Sequence, residues 1–238
     1  MSLDGVAQAG CIGAGERRLM LPLPISSAAG GKRLNILCLG AHCDDVDIGC
    51  GGALLALLDR HRAADVTWVI FSAQGERERE LRRSGRRFLS KARASRIITR
   101  GYRDGFMPAH FTAIKEDFES LKSLPVPDVI FTHRRDDRHQ DHRLIAELTW
   151  NTFRSHLILE YEVAKYEGDL TTPSAYIGLT AALVERKIRI LLDCYRSQRS
   201  KHWFTADTFR GLMRLRGIES GGKSGWAEGF HASKLLLI

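Results

Sequence analysis

The chain contains the stretch RLNILCLGAHCDD at residues 33–45, in which an apolar run is followed at once by polar residues. A short, continuous apolar run of this kind is typical of a fully buried parallel strand. The polar residues that follow it include one imidazole, His42, and two adjacent carboxylates, Asp44 and Asp45. Burying these groups together is costly unless a cation lies among them. The stretch therefore predicts a strand at 33–41 and a cation site at its carboxyl end.

Strand and helix patterns alternate after this first strand. Further strands are predicted at 65–73, 95–100 and 127–132, and helices at 51–62, 76–94, 112–123 and 142–153. This alternation predicts an α/β fold, a Rossmann-like and mostly parallel sheet with helices on both faces. In open α/β sheets the functional site lies at the carboxyl ends of the strands. We therefore expect the active site of this protein at that edge of the sheet.

A polar loop follows each of the four predicted strands. These loops carry the sequences AHCDD at 41–45, QGER at 74–77, YRDG at 102–105 and THRRDDRHQDHR at 132–143. Because the carboxyl ends of parallel strands meet at one edge, we expect the four loops to converge there.

Size and composition place the chain among ordinary globular proteins. It has 238 residues, of which 44% are hydrophobic and 27% charged, so disordered and fibrous classes are excluded. We predict a single domain at 33–238, preceded by a flexible Gly/Ala/Ser-rich extension at 1–32. No stretch approaches the roughly 18 apolar residues needed to span a bilayer, so no membrane span is predicted. The five cysteines lack metal-binding or paired spacing, which suits a reducing cytoplasmic location.

The net charge of +8 is concentrated in the stretch ERERELRRSGRRFLSKARASR at residues 76–96. A basic surface of this kind could bind nucleic acid or another anionic polymer. However, the stretch has no interleaved aromatic residues for base stacking, and its Glu and Arg residues are spaced to pair on a helix face. We therefore predict no specific nucleic-acid partner, and keep an anionic-polymer binding module as the alternative from another functional class.

His42 and Asp45 lie three residues apart on a turn, so both side chains can face one small ion. The loop at 132–143 supplies further possible ligands, namely His133, Asp136, Asp137, His139, Asp141 and His142. One His-x-x-Asp pair with one distant His gives the three protein ligands of a catalytic zinc, which leaves a position open for water or substrate. Asp44, beside the ligands, would be free to take a proton from that water.

Two other interpretations of the same residues remain open at this stage. A loop rich in Asp and His is often only solvated, and Asp141 could serve as the N-cap of the helix at 142–153. Alternatively, Asp/His clusters build two-metal sites, as in phosphoesterases, and Asp136 and Asp137 are the candidates for the additional bridging carboxylates.

The motif AHCDDVDIGCGG at 41–52 resembles the AHPDD-type motif of the PIG-L/LmbE-like zinc de-N-acetylases, with Cys43 in place of the usual proline. The segment HQDH at 139–142 is similar to the second, HPDH-type motif of that family. The resemblance extends from about Asn35 to the end of the chain. It implies a hydrolase that uses one Zn²⁺ per chain to remove the acetyl group from an N-acetylglucosamine-type sugar or glycoconjugate.

The resemblance also implies roles for individual residues. The implied zinc ligands are His42, Asp45 and His142. The implied catalytic residues are Asp44 as general base and His139 as electrophile or acid, oriented by Asp141. The implied substrate-binding residues are Arg77, Asp104, Gln198 and Glu228. Homo-oligomers are common among such enzymes, and the aromatic and basic C-terminal half could line a sugar-binding wall, form a subunit interface or simply pack.

Overall fold

A computed structural model describes residues 23–25 and 33–236 of the chain. Apart from 23–25, the predicted N-terminal extension lies outside the described residues. The described residues form one seven-stranded sheet, whose strands are β1 (Leu34–His42), β2 (Ala64–Ser72), β3 (Ala94–Thr99), β4 (Val129–His133), β5 (Leu157–Tyr161), β6 (Ala175–Gly178) and β7 (Ala227–His231). The strand order is β3-β2-β1-β4-β5-β7-β6.

The first five strands are parallel, and only β7 is antiparallel to its neighbours β5 and β6. Side chains of β1 alternate between two hydrophobic clusters, so that Ile36 and Cys38 join one cluster while Leu37 and Leu39 join the other. This two-sided burial explains why β1 is apolar at nearly every position. The predicted α/β fold with a mostly parallel sheet is confirmed.

In the part of the chain that the structure describes, six α-helices connect and cover the strands. They are α1 (Asp45–Arg60), α2 (Gly75–Phe88), α3 (Phe111–Leu121), α4 (Gln140–Thr152), α5 (Ala181–Cys194) and α6 (Ala206–Glu219). Buried residues of α1, α2, α5 and α6 belong to the cluster on one face of the sheet, and those of α3 and α4 to the cluster on the other. No helix in the described part of the chain is long and apolar enough to cross a bilayer.

Helix α1 begins at Asp45, six residues before the predicted start at residue 51. The glycines at 49, 51 and 52 all lie inside this helix. A Cβ at Gly49 would meet the Tyr161 ring, and one at Gly51 would meet the Phe88 ring. Glycine is therefore required here for close packing of α1 against its neighbours.

Replacement of Gly49 by alanine tests this packing argument. Gly49→Ala forces a methyl group into the Tyr161 ring, and we expect a loss of about 1–3 kcal/mol in the free energy of unfolding. The matched control is Gly211→Ala, because Gly211 lies in α6 with open space around it, and there alanine should stabilise the helix by up to about 1 kcal/mol. Chemical denaturation measures both changes. Equal effects of the two substitutions would contradict the packing argument.

Candidate metal centre

The four polar loops converge at the carboxyl edge of the parallel strands, as predicted. His42 ends β1, and its Nε2 lies 2.9 Å from Asp104 Oδ1 in the loop after β3. Arg77, from the first turn of α2, donates to Asp44 Oδ1 at 2.6 Å. His142, from the first turn of α4, has its Nε2 3.5 Å from Asp45 Oδ1. Four segments that are distant in the sequence thus bring His, Asp and Arg side chains together.

The side chains of His42, Asp45 and His142 lie close together. His42 Nδ1 is 3.1 Å from His142 Nε2 and 3.3 Å from Asp45 Oδ2, while His142 Nε2 is 3.5 Å from the other oxygen of Asp45, Oδ1. A tetrahedral zinc with ligands at 2.0–2.1 Å holds those ligands about 3.3–3.4 Å from one another. The spacing of the three side chains therefore fits a tetrahedral ion of this size.

The charges around His42 also fit a cation. Burial opposes a positive charge on this imidazole, yet the carboxylates of Asp45, Asp104 and Asp141 raise its pKa well above the usual value. Asp45 shows the converse, since His142, His133 and His42 lower its pKa against the effect of burial. The carboxylates around His42 therefore favour a positive charge at this position, which a divalent ion would supply.

The N-cap of α4 is His139 and not Asp141. The His139 Nδ1 accepts a hydrogen bond from the Asp141 backbone N–H at 3.3 Å. The Asp141 carboxylate is fully buried and accepts instead from the N–H groups of Gly105 at 2.7 Å and Met107 at 3.1 Å. Its Oδ2 also lies 3.3 Å from His42 Nε2. Asp141 therefore fixes the loop after β3 and the outer nitrogen of His42, and its contact with His139 runs through its backbone alone.

His139 has a defined proton arrangement. Burial, with His142 and His42 nearby, lowers its pKa, so its ring is neutral near pH 7. Because Nδ1 accepts from a backbone N–H, the single ring proton belongs on Nε2. The ring stacks on His142 with centroids 4.6 Å apart, so this N–H group lies beside the candidate metal ligands.

Asp44 and Arg77 form an ion pair at the edge of the cluster. The Asp44 side chain is largely buried, and it contributes no side-chain cap to α1 although it occupies the N-cap position. Arg77 also approaches Glu80 Oε2 at 3.4 Å and lies over the Tyr195 ring at 5.3 Å. Arg77, predicted to contact substrate, thus holds one oxygen of the predicted general base and remains 27% exposed.

His133 and Asp137, which the sequence offered only as further possible ligands, lie directly behind the predicted ligands. His133 is fully buried, and its ring stacks on that of His142 with centroids 3.8 Å apart. The His133 Nε2 lies 3.1 Å from Asp45 Oδ2. Burial lowers the pKa of His133 to about 4. Asp137 Oδ2 lies 3.0 Å from His142 Nδ1. A carboxylate on the outer nitrogen of a ligand histidine is the usual outer-shell arrangement. The spacing of Asp137, five residues before His142, was the available sequence signal.

Overlapping groups of side chains in the described residues could hold an ion. These groups are His42 with His139 and His142, Asp45 with His133 and His142, and His42 with Asp104 and Asp141, so the three predicted ligands are divided between the first two groups. Asp136 and Asp137, the candidates for bridging two metals, both have other partners. Asp136 is exposed and paired with Arg134 at 2.7 Å, and Asp137 is bonded to His142.

Gln198 and Glu228, predicted to bind substrate, are engaged elsewhere. Gln198 is buried and donates to Ser197 Oγ at 2.9 Å. The Glu228 carboxylate, 4% exposed, accepts from the N–H groups of Gly52 at 2.8 Å and Ala53 at 2.7 Å. It also pairs with Lys187 Nζ at 2.6 Å. Both oxygens of Glu228 thus hold α1, and substrate binding by this residue stays a prediction.

The ion pair of Glu228 and Lys187 also contacts the backbone of α1. Lys187 Nζ donates to the Ile48 carbonyl at 2.5 Å. Glu228 accepts from the Gly52 N–H group, four residues further along the helix. The ion pair thus binds α1, whose first residue is Asp45, to α5 and β7.

Comparison with known proteins assigns the family. Residues 37–153 match the family model PIG-L, described as GlcNAc-PI de-N-acetylase, and no curated protein matches the chain. Among solved structures, the conserved protein TT1542 of Thermus thermophilus superposes with a TM-score of 0.67 and 21% identity, over 86% of this chain and 97% of that chain.

Two further solved structures share the fold. The N,N'-diacetylchitobiose deacetylase of Pyrococcus horikoshii has a TM-score of 0.61 and 20% identity, over 83% of this chain and 82% of that one. The 4-carboxy-2-hydroxymuconate hydratase of Pseudomonas putida has a TM-score of 0.63 and 13% identity, over 86% and 98%. The same fold thus serves more than one kind of chemistry.

The combination of sheet, motifs and family match defines the class. The protein belongs to the PIG-L family. It is accordingly an enzyme of the hydrolytic N-deacetylase class.

Substitution of Glu228 tests whether this residue is structural. Glu228→Gln breaks a buried ion pair and should cost about 3–5 kcal/mol of unfolding free energy, with no change in metal content. The control Glu185→Gln removes the exposed pair with Arg210 and should cost less than about 1 kcal/mol. Denaturation curves and elemental analysis provide the readouts. A stable Glu228→Gln protein with a raised KM would show that the residue binds substrate after all.

Proposed function

We propose that the protein is a zinc-dependent N-deacetylase that hydrolyses the acetamide group of an acetylated amino sugar or glycoconjugate. The family match supports deacetylation, and the solved N,N'-diacetylchitobiose deacetylase supports a sugar substrate. The observation that carries the proposal is the position of the Asp44 carboxylate. Arg77 holds its Oδ1, and Asp44 directly precedes the predicted ligand Asp45 in the chain.

Two imidazoles and one carboxylate form a donor set that suits zinc, which binds nitrogen and oxygen ligands and keeps one position open in its catalytic sites. His42, Asp45 and His142 would hold the ion. When bound, zinc would polarise the acetyl carbonyl and lower the pKa of a water molecule to near 7.

Asp44 would act as the general base and then as the general acid. Arg77 occupies Oδ1 of this carboxylate, which leaves Oδ2 to take a proton from the attacking water. The water oxygen bonds to the acetyl carbon, and the carbon–nitrogen bond then breaks. The proton held by Asp44 passes to the departing nitrogen, so that the products are acetate and the free amine.

His139 would stabilise the negative charge that develops on the carbonyl oxygen. Its neutral ring carries the proton on Nε2, because Nδ1 accepts from the Asp141 N–H. A fixed donor of this type contributes about 3–4 kcal/mol in comparable sites. Asp141 supports the arrangement by fixing the loop after β3 and the outer nitrogen of His42.

We further infer a cytoplasmic location. Cys38, Cys43, Cys50 and Cys194 are free and buried, which suits a compartment that keeps thiols reduced.

The substitution Asp44→Asn tests the proposed chemistry. It preserves the size of the side chain but cannot accept the proton, so acetate release should fall by at least about 10²-fold while zinc content is retained. The assay is acetate release from a panel of N-acetylated sugars, glycosides and sugar nucleotides. Asp193→Asn, which removes an exposed carboxylate paired with Arg87, is the control and should keep full activity. Near-native acetate release by zinc-loaded Asp44→Asn would exclude Asp44 as the base.

A further inference from the structure

Lys165, in the segment between β5 and β6, has its ammonium group buried close to the candidate metal centre. The side chain is 9% exposed, and Nζ lies 3.0 Å from Asp137 Oδ2. The Asp169 carboxylate accepts from the same group with both oxygens, at 2.6 and 2.7 Å. Burial of a lysine in this way is costly unless its charge is paired and its hydrogen bonds are satisfied. All three contacts with Lys165 go to carboxylates, so this requirement is met.

Asp137 links this lysine to the predicted metal ligand. Its Oδ2 is shared between Lys165 Nζ and His142 Nδ1, at 3.0 Å from each. Its Oδ1 accepts from the backbone N–H of His139 at 2.8 Å. One carboxylate therefore sets the orientation of the His142 ring and the start of the turn that carries His139. Any rotation of the Asp137 side chain would change both.

Asp169 connects the lysine to the same loop by a second route. Its Oδ2 accepts from the Arg138 N–H at 2.8 Å, and its backbone carbonyl accepts from Arg134 Nη1 at 2.6 Å. The loop at 134–139 is thus bound to the 165–169 segment on both sides of Asp137. Lys165 lies at the centre of these contacts, because its ammonium group is bonded to the carboxylates of both Asp137 and Asp169.

We propose that Lys165 is a positioning residue for metal binding, which acts through Asp137 on the orientation of His142. The His139 N–H holds Oδ1 of Asp137, and Lys165 is the charged partner of Oδ2. The ammonium group of Lys165 fixes the oxygen that faces His142 Nδ1. Outer-shell partners of ligand histidines typically change metal affinity by about 10–100-fold when they are removed. The inference rests on the proposed zinc site, and it concerns a residue outside both sequence motifs.

The test is the zinc dissociation constant of Lys165→Met, measured by competition with a chromophoric chelator. We expect a weakening of about 10-fold, the lower end of the range for outer-shell partners. The absorption spectrum of the cobalt-substituted protein should change as well, because it reports the geometry of the ligands. Lys165→Arg retains the charge and should recover most of the affinity. The matched control is Lys91→Met, which removes a surface lysine paired with Asp59 at 2.6 Å and should leave zinc affinity unchanged.

A double-mutant cycle distinguishes positioning through Asp137 from a general effect on folding. If Lys165 acts through Asp137, Lys165→Met should have almost no further effect on zinc affinity in an Asp137→Asn background. Equal weakening in both backgrounds would contradict the inference, as would normal zinc affinity in a folded Lys165→Met protein. Failure of the wild-type protein to bind zinc is a different outcome, which would contradict the proposed metal centre itself.

Discussion

The close approach of His42, Asp45 and His142 is the constraint on which the site depends. Their donor atoms lie within 3.5 Å of one another, and they come from two loops that are almost one hundred residues apart in the chain. Holding these polar groups together in a mostly buried position is costly unless a cation or a proton is shared among them. The surrounding structure can be understood as the framework that keeps them in place.

That framework has two parts with different chemistry. Behind Asp45, the helix α1 is packed so closely against Tyr161 and Phe88 that it requires glycine at 49 and 51. The buried ion pair of Lys187 and Glu228 binds the backbone of the same helix. Behind His142, support is polar, through Asp137, Lys165 and Asp169. One ligand is therefore placed mainly by packing of a helix, and the other by hydrogen bonds of a loop.

The sequence predicted the parts of the protein that depend on local patterns. The apolar run before His42 and the alternation of strands and helices predicted the parallel sheet, and the position of functional sites in such sheets predicted which loops would meet. It failed where the reason for a residue lies in a distant neighbour. The predicted start of α1 at residue 51 was six residues late, and the Tyr161 and Phe88 rings that require glycine at 49 and 51 are far away in the chain. Asp141 was interpreted as a possible N-cap from its position before a helix. The Gly105 and Met107 N–H groups that it binds lie in another loop and give no signal in the sequence around Asp141. Glu228 and Lys165 gave no local signal of their buried partners.

The most direct measurement of the central claim is crystallographic location of the ion by anomalous scattering at the zinc absorption edge. The account predicts one zinc per chain, bound by His42 Nδ1, a carboxylate oxygen of Asp45 and His142 Nε2, with Asp44 beside it and not coordinated. The overlapping groups in the same cluster offer clear alternatives. An ion held by Asp45, His133 and His142, or by His42, Asp104 and Asp141, would contradict the ligand assignment and the role given to Asp44.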